Sequence, residues 1–233
     1  MIAEQLNPDL FLLTLGGWPA YLWRDPDGVT LVDAGPVGSG ADLLRALDEI
    51  GVERSDVRRL VLTHFHDDHA GGAAEVAGWG GVEIIAHESD APIIRGDRPG
   101  PPPSFSDAER ALHARVAGDL EPAPACRVDT VVRDGDVLDI AGGATVVSTP
   151  GHTDGSVALY LDRPRVLFTG DTVAEHDGVI MRGVFNLDGE AAAESFRALT
   201  ALPAEIACFG HGRPVLGDAQ AILTTAAAAM ITV

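Results

Sequence analysis

The run His64-Phe65-His66-Asp67-Asp68-His69 constrains this chain more than any other part of its sequence. It follows Arg59 to Thr63, an apolar-rich segment that predicts a β-strand. Open α/β sheets hold their ligands beyond the carboxyl ends of strands. Imidazole is the commonest protein ligand of zinc, and carboxylates compensate its charge. Three histidines and two aspartates within six residues therefore predict a metal site rather than a solvated loop.

Three further polar residues follow predicted strands, each beside a glycine: His152 in Thr149 to Ser156, Asp171 in Phe168 to Thr172, and His211 between Gly210 and Gly212. Glycine lets the backbone approach a ligand closely. Each of the three alone is an ordinary loop residue. With the first cluster they predict one larger site.

Short apolar strands alternate with helical patterns along the chain, which predicts an α/β fold. The predicted strands are Leu10–Leu15, Ala20–Trp23, Val29–Asp33, Arg59–Thr63, Val82–Ala86, Val128–Val132, Thr145–Ser148, Val157–Leu161, Val166–Phe168 and Ile206–Phe209. The first predicted helix begins at a capping box, Ser39 to Asp42. Further helices are predicted near Ala70–Ala77, Asp107–Val116, Glu190–Leu202 and after Asp218.

Residues 91–125 interrupt this alternation with Pro-rich stretches that fit no regular element. They are either a solvated connector or a lid inserted into the domain. No repeat of fixed period occurs, and the length suits one domain over residues 1–233.

The charge balance excludes some classes of partner. The chain has 35 acidic and 16 basic residues, which give a formal net charge of -19. This negative charge repels nucleic acid. The start of the sequence lacks a secretory signal, and no apolar run approaches the length of a bilayer span. We therefore expect a cytoplasmic protein that binds neither nucleic acid nor membrane. Cys126 and Cys208 are expected to be buried thiols. The sequence leaves the oligomeric state open, and a dimer is one of the possible states.

In this order the motifs resemble those of the metallo-β-lactamase superfamily, from Asp33 in Val32 to Gly35 through to His211. The resemblance implies an αβ/βα four-layer sandwich of two mixed β-sheets flanked by helices. It also implies a dinuclear centre, zinc in the first place with iron or manganese as alternatives. One ion would be held by His64, His66 and His152, the second by Asp68, His69 and His211, with Asp171 bridging both and Asp33 supporting the histidine loop.

Two such metals would share a hydroxide that attacks a carbonyl, with Asp68 passing its proton to the leaving group. The predicted function is hydrolysis of a small acyl compound, a thioester, lactone or related ester. Thr149 to Thr153 and Gly170 to Thr172 resemble thioesterases of the glyoxalase II type, which usually carry a further C-terminal helical domain. Lactonase relatives place a Tyr shortly after the bridging Asp, where this chain has Val173-Ala174-Glu175. A mononuclear iron dioxygenase of persulfides and a β-lactam hydrolase are the alternatives.

Substrate contacts are predicted from residues that follow the ligands or lie near a glycine turn. Arg182 and Arg213 suit a substrate carboxylate, and Phe185 and Trp18 suit an apolar wall. Of the remaining histidines, His87, His113 and His176, only His176 is singled out, because it lies close to Asp171 in sequence.

Overall fold

The computed structural model describes residues 2–230, and their contacts group them into two compact units. The first contains the residues up to Pro99 and Leu120–Val132, and the second contains Gly100–Asp119 and the residues from Arg133 onward. The segment 91–125 is thereby divided, with 100–119 in the second unit and its two ends in the first. The single domain over 1–233 stays a prediction.

Within the described residues, the first unit is built on one mixed sheet of seven strands in sequence order. Its strands are β1 (Ala3–Gln5), β2 (Leu10–Leu15), β3 (Trp18–Asp25), β4 (Gly28–Val32), β5 (Val57–Val61), β6 (Glu83–His87) and β7 (Thr130–Val132). The pairs from β1 to β4 are antiparallel, and those from β4 to β7 are parallel. The carboxyl ends of β4, β5 and β6 therefore lie at one edge of this sheet.

The helices of the first unit are α1 (Gly40–Glu49), α2 (Asp67–Ala70), α3 (Ala73–Ala77) and α4 (Ala91–Ile94), with a 3-10 turn at Arg54–Asp56. One apolar face of the sheet shares a buried core with α1 and α3, in which Leu31 and Leu60 of the strands lie with Leu43, Leu47 and Val76 of the helices. Burial of such aliphatic side chains contributes about 1.5–3 kcal/mol each.

The second unit has its own mixed sheet, six-stranded over the described residues, in the order β15-β14-β11-β10-β9-β8. Its elements are α5 (Asp107–Val116), β8 (Val137–Leu138), β9 (Ala144–Ser148), β10 (Val157–Leu161), β11 (Val166–Phe168), a 3-10 turn (Gly170–Thr172), the hairpin β12 (Val173–His176) and β13 (Val179–Arg182), α6 (Gly189–Leu199), β14 (Ile206–Cys208), β15 (Val215–Leu216) and α7 (Ala219–Ala229). Strands β9, β11 and β14 run in the same direction, because β10 is antiparallel to β9 and β11, and β14 is parallel to β11.

Several predicted elements are confirmed with their bounds: the strands Leu10–Leu15, Val157–Leu161 and Val166–Phe168 and the helix Asp107–Val116. The helix predicted over Ala70–Ala77 is wrong as one element. It is divided at Gly71 and Gly72, where the chain passes so close to the Ala34 carbonyl that a Cβ on Gly72 would lie 2.3 Å from it.

The capping box predicted at Ser39 is also wrong. Ser39 precedes α1, but its backbone is already helical (φ -69°, ψ -11°) and its side chain caps nothing. An N-cap residue needs an extended backbone to turn its oxygen toward the free N–H groups.

Between Ile2 and Met230, every helix falls short of the length or the hydrophobicity needed to cross a bilayer.

Candidate metal centre

The histidine run lies at the edge of the first sheet where parallel strands end. Strand β5 ends at Val61, His64 follows within three residues, and α2 begins at Asp67 and carries Asp68 and His69. Main-chain N–H groups of His69 and Ala70 donate to the His66 carbonyl, which tightens the turn. His64 and His69 are each 1% exposed, so their imidazoles are enclosed by protein.

The imidazoles of His64 and His66 converge on one point. His64 Nε2 and His66 Nδ1 are 3.1 Å apart, and the two rings meet edge to face. Two nitrogens bound to one tetrahedral zinc at about 2.0–2.1 Å would be separated by roughly 3.3 Å. The observed separation suits two ligands of a single ion.

Asp33 and Thr63 fix which nitrogen of each buried imidazole carries the proton. Thr63 Oγ1 lies 2.8 Å from Asp33 Oδ2, so its single hydroxyl proton goes to this carboxylate. His64 Nδ1, 3.0 Å from the same hydroxyl oxygen, must then be the donor. His69 Nδ1 likewise donates to Asp33 Oδ2 at 2.8 Å. Both Nε2 atoms are left as lone-pair donors, the form that binds a metal.

Two further aspartates hold the main chain of the histidine run. Asp90, 1% exposed, accepts the N–H of Phe65 at 3.1 Å. Asp67 accepts the N–H of Ala123 at 2.7 Å. Burial raises the pKa of the Asp67 carboxyl, and the charge of Asp68 acts in the same direction, while the Ala123 N–H opposes both.

Sequence reasoning missed these roles of Thr63, Asp67 and Asp90. The signal at Asp90 is that of a helix N-cap before Ala91-Pro92, and α4 does begin there, but this signal carries no information about Phe65.

The second unit presents His152, Asp171 and His211 beyond three strands that run in the same direction. They follow the carboxyl ends of β9, β11 and β14, so they lie at one edge of this sheet. Asp171 Oδ2 is 3.5 Å from His152 Nε2 and 3.0 Å from His211 Nε2. One carboxylate thus faces both imidazoles, as a bridging ligand would.

The β12–β13 hairpin supports the loop of His211. The N–H of Glu175 donates to the His211 carbonyl at 3.0 Å, and the Glu175 carboxylate accepts the N–H of Arg213 at 2.6 Å. This bond and a second from Gly178 lower the pKa of Glu175. The hairpin was missed, although Asp177-Gly178 is a strong turn signal, and both residues have the positive φ of its turn (50° and 82°).

The predicted substrate contacts lie at different places. Trp18 begins β3 and lies at the edge of the first sheet from which the histidine run leaves. Arg182 donates to the Gly189 carbonyl and lines a polar cleft of about 330 Å³ with Ser104 and Glu109. Phe185 lies in the same unit and packs on His113, while Arg213 is exposed.

The other histidines and the cysteines have separate surroundings. The side chain of His176 is 81% exposed and lies 3.7 Å from Asp177. His87 is buried, and its Nδ1 accepts the N–H of Ser89. Cys126 and Cys208 are buried, as predicted, and burial raises the pKa of both thiols, so neither is an activated nucleophile.

Comparison with known proteins decides the family. Residues 14–211 match the sequence profile of the metallo-beta-lactamase superfamily. The chain belongs to the metallo-β-lactamase superfamily. Membership confirms the predicted fold class, two mixed sheets with helices, and makes the chain a metal-dependent hydrolase in the broad sense of that superfamily.

Individual members of the superfamily are similar over most of this chain. The "Probable metallo-hydrolase YflN" of Bacillus subtilis (strain 168) is 30% identical over 211 residues, 83% of this chain and 78% of that protein. A hydroxyacylglutathione hydrolase of Cereibacter sphaeroides is 32% identical over 185 residues, 78% of this chain. The match spans only 56% of that hydrolase. A crystal structure of a metallo-β-lactamase family protein from Thermus thermophilus superposes with a TM-score of 0.70 and 26% identity, covering 97% of this chain and 79% of that one.

The donors in this member fit the divalent metals of the superfamily. Within each unit, facing donor atoms are 3.0–3.7 Å apart, including His69 Nε2 and Asp68 Oδ2 at 3.7 Å. The set combines imidazole nitrogen and carboxylate oxygen, which are ligands of zinc and of other first-row metals. The Nε2 lone pairs of His64 and His69 are directed by the hydrogen bonds of Thr63 and Asp33, as in established metal sites.

Proposed function

We propose that this chain is a dinuclear zinc hydrolase that cleaves a small acyl substrate, a thioester, lactone or related ester. The observation that carries the proposal is the complete ligand set of the superfamily pattern, with the Nε2 lone pairs of His64 and His69 directed by Thr63 and Asp33. One ion would be held by His64, His66 and His152, and the other by Asp68, His69 and His211, with Asp171 shared. When bound, the ions would activate water at neutral pH and act as Lewis acids toward the substrate carbonyl.

The side chains of this protein have separate tasks in that reaction. Asp68 lies near His69 and is partly exposed, so its carboxylate can hold the proton released at the nucleophile and deliver it to the leaving group. Hydrogen bonds at the Nδ1 atoms of His64 and His69 leave their Nε2 atoms to bind the metal. Asp171 adds the negative charge that two cations require.

An acyl substrate is favoured by similarity and by charge. The relative that is 32% identical is named for hydrolysis of hydroxyacylglutathione. The net charge of -19 opposes a nucleic-acid substrate and favours a small molecule. Arg213, exposed beyond the last ligand, suits a substrate carboxylate, and Trp18 and Phe185 are proposed as apolar contacts. The cytoplasmic location stays a prediction.

Metal analysis with a substrate panel tests the proposal. We expect about two zinc ions per purified chain and turnover of a thioester, lactone or ester. Chelation should abolish turnover, zinc should restore it, and Asp68→Asn should reduce kcat by about 10²–10⁴-fold, the usual contribution of a proton-transfer group. One iron per chain with oxygen consumption on a persulfide would contradict the proposal, as would cleavage of β-lactams alone.

A further inference from the structure

We propose that the segment 104–113 positions the loops of His152 and Asp171 by holding Phe185 and Asn186. The inference rests on the metal-binding role proposed for His152 and Asp171. Phe185 and Asn186 would be positioning residues, acting through the loop 183–188 that joins β13 to α6. All the residues of this chain of contacts belong to the second unit.

Phe185 has a backbone conformation that it would not adopt alone. Its φ is 63°, in the left-handed region, which is unfavourable for a bulky residue. Its ring packs edge-on against Phe105 and His113, with centroid distances of 5.7 and 5.0 Å. The segment 104–113 therefore supplies the contacts that offset this conformation.

Glu109 adds a polar contact to the same residue. Its carboxylate accepts from the Ser106 side chain at 2.7 Å and from the Ser106 N–H at 2.9 Å, and the main-chain N–H of Phe185 faces it closely enough to contribute to its lowered pKa. These bonds, the Ser106 side chain foremost, lower the pKa of Glu109. The residue that completes the N-cap of α5 thus also faces the main chain of the loop 183–188, with which it lines one polar cleft.

Asn186 connects the segment to the interior of the loop. Asn186 is 4% exposed, and its side-chain Nδ2 donates to the Gly183 carbonyl at 2.7 Å. Its main-chain carbonyl accepts the N–H of Ser104 at 3.0 Å. The side chain closes the turn from Gly183 to Asn186, and the main chain binds the turn to residue 104.

The far side of the loop contacts both ligand loops. Leu187 N–H donates to the His152 carbonyl at 3.3 Å, and Asp188 N–H donates to the Gly151 carbonyl at 2.9 Å. Gly183 N–H donates to Thr172, and a Cβ on Gly183 would lie 1.8 Å from the Asp171 carbonyl oxygen. A shift of the loop 183–188 would therefore move the main chain of both ligands.

Amide hydrogen exchange of the metal-free protein tests this coupling directly. The variants are Phe185→Ala, which removes the ring contacts, and Glu109→Ala, which removes the polar contact. Phe185→Tyr keeps the ring, and Val116→Ala, on the exposed end of α5, is the matched control. We expect exchange in 149–153 and 171–173 to quicken about tenfold in the first two variants and to stay unchanged in the last two.

Zinc affinity, measured by competition with a chromophoric chelator, gives an independent readout. It should fall at least tenfold in Phe185→Ala and Glu109→Ala, the usual effect of losing an outer support of a ligand, and recover in Phe185→Tyr. Amide exchange in β10 reports global unfolding. If exchange in β10 is faster in Phe185→Ala than in the wild type, that variant is unfolding as a whole, and the comparison then rests on Glu109→Ala alone.

The inference is overturned if exchange quickens in 104–117 and 183–189 while 149–153 and 171–173 keep the wild-type rate. A wild-type protein that binds no zinc would instead refute the proposed function, and the exchange comparison would still decide the coupling.

Discussion

The carboxylate of Asp90 accepts the main-chain N–H of Phe65, the residue between the two histidines whose ring nitrogens are 3.1 Å apart. This bond joins the loop after β6 to the loop after β5. It restrains the peptide that sets the angle between His64 and His66, so the chelating geometry depends on a residue that does not bind the metal.

Replacement of Asp90 should weaken metal binding without changing a ligand. In Asp90→Ala the Phe65 N–H is left without this acceptor, and we expect a 10- to 100-fold loss of zinc affinity in a competition titration. Asp90→Asn keeps an acceptor oxygen and should lose much less. Asp97→Ala removes an exposed carboxylate from the same segment and serves as control; an equal loss there would refute the prediction.

Thr63→Val should disturb the proton positions on His64. Valine has nearly the shape of threonine but cannot accept from His64 Nδ1 or donate to Asp33. We expect ¹⁵N NMR of the imidazole to show a mixture of tautomers where the wild type has one, with about tenfold weaker zinc binding. Thr63→Ser retains the hydroxyl and should keep a single tautomer; a single tautomer in Thr63→Val would contradict this account.

Asp67→Ala should loosen the segment around Ala123. The variant removes the acceptor of the Ala123 N–H, a contact between residues 56 positions apart. We expect faster amide exchange at Ala123 and its neighbours up to Cys126, with the exchange of β6 unchanged. Glu121→Gln changes an exposed charge two residues away and should leave the exchange as it is.

The lowered pKa of Glu109 makes part of the stability depend on pH. The folded pKa lies below the unfolded pKa, so this stabilisation is complete above the unfolded pKa and is lost as pH falls through the folded pKa. Glu109→Gln should therefore lower the thermal midpoint at pH 7, and its difference from the wild type should shrink toward pH 3. A difference that stays constant over this range would exclude the ionised carboxylate as its source.

The sequence predicts the places of the ligand loops well, because each follows an apolar strand and carries its own polar and glycine signal. It does not predict the supports of those loops. Asp90 and Phe65 are 25 residues apart in sequence. A single sequence does not show which distant carboxylate accepts a given main-chain N–H.

Local signals also fail when tertiary contacts override them. The strand predicted over Arg59–Thr63 ends at Val61, because the N–H and hydroxyl of Thr63 are taken by Asp33. At Ser39 a helical backbone replaces the expected cap. The missed β12–β13 hairpin is different, since Asp177-Gly178 carries a turn signal that was sufficient to find it.

The left-handed backbone of Phe185 bears on how this chain would respond to directed evolution. Asn or Gly would relieve the local conformation but would lose the ring contacts with Phe105 and His113. A library selected for thermal tolerance alone should therefore keep an aromatic residue at position 185. Phe185 is thus a position where an unfavourable backbone conformation persists because its side chain is needed for packing.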